Sequence, residues 1–124
     1  MSDRLILFLA AMGLVPIAFS YGLVPSQSVT YLLGFPVDGT NHTHVFRAIM
    51  GLYLANIGFW LAGFAISSLR TPALWSLFIF MSGLAAGRVV SLVIDGVPSF
   101  VLIFYLLAEA VFAFLSMMAI RKQA

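Results

Sequence analysis

Four apolar runs, Leu5–Val24, Val45–Leu69, Ala73–Ile94 and Val97–Ile120, take up most of this chain. Each has about 20 or more residues, enough at about 1.5 Å per residue to cross about 30 Å of hydrocarbon. Lipid offers no partner to a backbone N–H or C=O, so such runs must close their own hydrogen bonds as helices. Their unbroken hydrophobicity also lacks the alternation of barrel strands. Only 8% of the 124 residues are charged and the mean hydropathy is +1.12, whereas a soluble domain carries about a quarter charged residues. No polar shell is available to cover a water-soluble globule. The chain therefore reads as an all-α membrane protein, a single four-helix transmembrane domain over residues 1–124.

The first run follows Met1-Ser2-Asp3-Arg4 and contains Ala18-Phe19-Ser20, features of a secretory signal. It is longer than a signal core, so it reads as a retained span with a kink expected at Pro16. Arg4, Arg70, Arg121 and Lys122 fall on one side of a four-span topology; Asp38, His42, His44 and Asp95 fall on the other. The positive-inside rule then predicts both ends in the cytoplasm. Arg70-Thr71-Pro72 and Asp95-Gly96-Val97-Pro98 are tight links, with Thr71 a cap and Pro72 a first-turn residue. Such links make spans two, three and four antiparallel neighbours. Pro25–His44 is a long outer segment whose middle, Ser26–Phe35, forms either a covering loop or a short interfacial helix anchored by Tyr31 and Phe35.

Small residues mark two helix faces: Gly51, Ala55, Gly58 and Ala62 below Arg47 on span two, and Gly83, Gly87 and Ser91 on span three. Small stripes let helices approach closely in lipid, so they predict the packing faces of the bundle. The intramembrane charges carry more information, because each isolated charge at mid-bilayer costs about 2.5–3.5 kcal/mol on insertion scales. Arg88, Ser91 and Asp95 share one face of span three; Tyr105 and Glu109 share one of span four. With Arg47 entering from the outer end of span two, these residues predict an internal polar cluster of Arg47, Arg88, Asp95 and Glu109. The cluster is either a register-fixing ion pair or a site for a polar or anionic group, a proton or a partner. If Arg88 does not reach it, Glu109 is held protonated, within a turn of Tyr105.

Cysteine is absent, which excludes disulfides and thiolate chemistry. The basic residues form no patch suited to nucleic acid. Asp38, His42 and His44 carry zinc or copper donor types, but His-x-His without a third placed histidine is a poor match to a metal site, and an interfacial role fits them better. Asn41-His42-Thr43 is a glycosylation sequon, meaningful only in a eukaryotic secretory setting. No phosphate loop, nucleophile elbow or His-Glu-x-x-His motif occurs, and no cofactor is evident.

His44-x-x-Arg47-Ala48-x-x-Gly51-Leu52-Tyr53, Gly87-Arg88-x-x-Ser91-x-x-x-Asp95-Gly96-x-Pro98 and the last-span Glu109 resemble the domain-of-unknown-function 4345 family. The resemblance covers nearly the whole chain and implies a small four-helix protein of the bacterial inner membrane, without implying an activity. Other small four-helix families, such as the DoxX-like proteins, share topology alone. Three roles compete. One is a non-enzymatic binding or accessory subunit for a ligand or membrane-protein partner. Another is an enzyme or carrier for a quinone or lipid using Glu109 as proton donor or acceptor, which requires a cavity between spans two, three and four reaching Glu109. The third is a structural homo-oligomer, which requires the small stripes on the outer surface.

Overall fold

Ser2 starts the first helix: its Oγ accepts from Leu5 N at 3.2 Å, and Asp3 follows in the first turn, where a negative charge suits the helix dipole. The computed structural model describes residues 1–123. Helix α1 spans Asp3–Gly22 and continues through Pro16. A short α2 covers Pro25–Leu33, with Pro25 in its first turn and Gly34 (φ +79°) ending it in the left-handed region that suits glycine. Helix α3 is Gly39–Ala65, a 3₁₀ turn covers Ser67–Leu69, α4 is Arg70–Ile94 and α5 is Phe100–Lys122. No strand occurs among the described residues, and α1, α3, α4 and α5 are all long and apolar enough to cross a membrane.

Two boundaries differ from those expected. Helix α3 begins six residues before Val45, so His42 and His44 are helical and the Pro25–His44 segment is α2, a short link and the first turn of α3. Its 27 residues make a rod of about 40 Å, longer than the hydrocarbon is thick, so polar Thr40–His44 can stand beyond it. Thr71 is not the cap of α4. That helix starts at Arg70 behind Leu69, while the Thr71 hydroxyl donates to Gln123 Oε1.

Helix α1 is the most enclosed of the four, burying Ile6, Leu7, Ala10, Ala11, Leu14 and Ala18. It packs along α3, α4 packs along α5, and α3 against α4 joins the two pairs, leaving α3 and α5 at opposite corners. Gln123 Nε2 donates to Asp3 Oδ2 at 2.6 Å, bringing both termini and the α3–α4 link to one end of the bundle. Arginines close the helix C-termini. Arg4 Nε donates to Phe64 O at 3.2 Å, and Arg70 donates to Gly63 O and Phe64 O at 3.1 and 3.2 Å, all in the last turn of α3. These cations meet carbonyls that lack helical partners, at the negative end of the dipole.

The packing faces are not the predicted stripes. Gly51, Ala55 and Gly58 are exposed, and a Cβ added at Gly51 or Gly58 would meet nothing within 4 Å. Helix α3 instead buries Tyr53, Ile57, Trp60 and Gly63. Edge-to-face rings stack down its inner side, Tyr21 on Tyr53 (5.5 Å), Tyr53 on Phe80 (5.2 Å) and Phe80 on Trp60 (5.4 Å). Trp60 Nε1 donates to Ser76 Oγ at 3.2 Å, and Ser76 in turn donates to Asn56 Oδ1 at 3.3 Å. Gly63 alone in this helix is needed for close approach: a Cβ there would collide with the Ala73 methyl.

Candidate functional site

Arg88 lies about 9 Å from the C-terminal end of α4, and Glu109 about 13 Å from the N-terminal end of α5. The two helices are antiparallel, and helical side chains lean toward their own N-termini, so the two groups lean toward each other and close the offset. The result is a bidentate pair: Arg88 Nε donates to Glu109 Oε1 at 2.7 Å and Nη2 to Oε2 at 3.1 Å. Their side chains are 22% and 9% exposed, so the pair is screened little by solvent. Arg88 Cζ also lies 5.7 Å from the centre of the Tyr105 ring.

Of the other residues expected in the cluster, Arg47 and Asp95 stand apart from the pair. Arg47 Nη1 donates to Gly22 O at 3.2 Å and thereby caps α1. Asp95 is exposed at the end of α4, where it accepts from Ser91 Oγ at 2.6 Å. Asp38, His42 and His44 stay at the far end from the termini. His42 Nδ1 accepts the Asp38 backbone N–H at 3.1 Å and so serves the start of α3. No group of three metal-ligating side chains converges among the described residues.

Two cavities meet at Arg88. The larger, about 500 Å³, lies between α3, α4 and α5 near α2, bordered by Phe46, Gly83, Gly87, Ser91 and Leu102. The smaller, about 230 Å³ and lined almost wholly by apolar groups, lies between α1 and α5, bordered by Gly13, Ile17, Phe104, Tyr105 and Glu109. Tyr21, Tyr53 and Arg88 line both. The cavity between α3, α4 and α5 thus reaches Arg88, while Glu109 faces the one beside α1. Glycines on these walls are exposed, and an added Cβ at Gly13, Gly83 or Gly87 would meet nothing within 4 Å, so both cavities open toward the surface of the bundle. The sequence does not single out Tyr21, and it presents Tyr53 only within the family motif that ends at Gly51-Leu52-Tyr53. Their signal was position, since tyrosine in membrane helices usually sits at the interface and Tyr53 lies mid-span.

The assembly is a neutral ion pair with unused guanidinium N–H groups and two phenols, set at the junction of two apolar cavities. Such a wall can hydrogen-bond the polar end of a lipophilic molecule whose apolar part fills the space beside it. No curated protein and no solved structure matches the chain. The family model for a domain of unknown function, DUF4345, matches residues 2–120, and the chain belongs to that family.

Proposed function

We propose that this protein is a non-enzymatic membrane binding or accessory subunit that holds a small lipophilic molecule, with the ligand's polar group against Arg88. The observation that carries the reading is the approximately 500 Å³ apolar cavity with Arg88 in its wall, a size typical of small-molecule sites. An ion pair used only to fix helix register needs no open space around it. Gly83 and Gly87 keep that space open where larger residues would close it. We further infer a bacterial inner-membrane setting with both ends cytoplasmic, supported by Arg4, Arg70, Arg121 and Lys122 gathering at the end that carries the termini.

The test is solvent extraction and mass spectrometry of purified wild-type and Gly87→Leu protein. A lipophile near one per chain in the wild type and its loss from the folded variant are expected. A stable, empty wild type refutes the proposal. A second reading, a homo-oligomer, is favoured by one feature, the outward stripe of Gly51, Ala55 and Gly58 on α3. Gly51→Leu and Gly58→Leu would then yield monomers in light scattering with their helix content intact.

A further inference from the structure

Resting on the binding reading above, we infer that the group held at Arg88 is a neutral hydrogen-bond acceptor, a carbonyl of the ester, ketone or quinone class, and not an anion. The argument is one of charge and donor count. A guanidinium has five N–H groups. Two of them, on Nε and Nη2, are engaged by Glu109 and another lies within reach of the Tyr21 phenol oxygen, leaving two for a ligand. They remain cationic donors, so a bond from them to a neutral carbonyl is charge-assisted.

The pair as a whole is neutral, and Arg88 is the sole charged residue lining the larger cavity among the described residues. A carboxylate or phosphate entering there brings a net negative charge into apolar surroundings with no second cation to balance it. A carbonyl brings none. The remaining polar groups fit the same class. Ser91 lines the cavity, but its hydroxyl donates to Asp95; the Tyr53 hydroxyl is turned to Tyr21, which leaves the Tyr21 O–H to donate to a second acceptor.

The experiment is native mass spectrometry of the full-length protein in a neutral detergent at about pH 8, where a fatty acid is ionised. Three probes share one chain: methyl dodecanoate, dodecanoate and dodecane. The ester is expected to bind at least about tenfold more tightly than dodecanoate or dodecane. Glu109→Gln, which removes the countercharge, should reverse the order of ester and anion. Should that variant not fold, the wild-type order decides, and Gly87→Leu must abolish ester binding with the pair untouched. Dodecanoate or dodecane binding as well as the ester overturns the inference and leaves the binding reading standing. A folded wild type that binds none of the three overturns both.

Discussion

Replacing each partner of the Arg88–Glu109 pair by glutamine, singly and together, separates a true pair from two charges that happen to be close. Glu109→Gln leaves a guanidinium without its countercharge. Breaking a buried pair costs about 3–5 kcal/mol, and the 22% exposure of the Arg88 side chain puts this change at the lower end, about 3 kcal/mol. Arg88→Gln strands a carboxylate whose side chain is only 9% exposed, for a similar or slightly larger loss. The double variant strands no charge. Two facing amides can keep a neutral bond of about 0.6 kcal/mol, the average for polar contacts in membrane bundles, so its loss should be about 2 kcal/mol. The double variant is therefore more stable than either single one, with a coupling of about 4 kcal/mol or slightly more. Reversible unfolding in mixed micelles, followed by helical circular dichroism, measures all four corners of the cycle. If the two single losses merely add, the bidentate geometry contributes nothing to stability and the pair is not what fixes α4 against α5.

Three further outcomes test other parts of the fold. Gly63→Val should cost at least about 2–3 kcal/mol in the same unfolding assay, because the new Cβ meets the Ala73 methyl and backbone rather than a flexible side-chain tip. Arg47→Ala should cost about 0.5–1 kcal/mol and speed amide exchange in the last turn of α1, since Gly22 O loses its cationic partner; unchanged exchange there would deny Arg47 a capping role. Trp60→Phe should cost about 1–2 kcal/mol from the lost bond to Ser76 and the smaller ring, read as a lower midpoint in the micelle titration.

Hydrophobicity made the four long helices legible because lipid permits few alternatives to a helix in a run of that length. The meeting of Arg88 and Glu109 was legible only as one of two possibilities, since the sequence places each on a polar helix face but does not say whether one reaches the other. Helix faces were harder to read. Glycine stripes signal close approach in some bundles, yet here aromatic residues two positions away fill the α3 interface while Gly51 and Gly58 face outward. The predicted four-member cluster failed for a local reason: carbonyls at the end of α1 lie nearer to Arg47 than any acid does. A sequence shows that a buried cation needs a partner, but not that a helix terminus will supply it.

The position of the ion pair within the bundle bears on its purpose. Helices α4 and α5 are the least enclosed of the four, and lipid gives them no hydrophobic reason to associate, since acyl chains are as apolar as leucine. A strong polar contact between them is therefore expected on structural grounds alone. What those grounds do not require is the loose packing around it. Dispersion is the main remaining attraction between membrane helices, and a gap next to a contact gives up part of it. Gly13, Gly83 and Gly87 open gaps on both sides of Arg88, one on each of three different levels of α1 and α4. Larger apolar residues at those positions would occupy the gaps without touching the pair. Their absence is most simply explained if the space itself is used, with the pair serving both as the clamp between α4 and α5 and as the polar contact for whatever occupies the cavities.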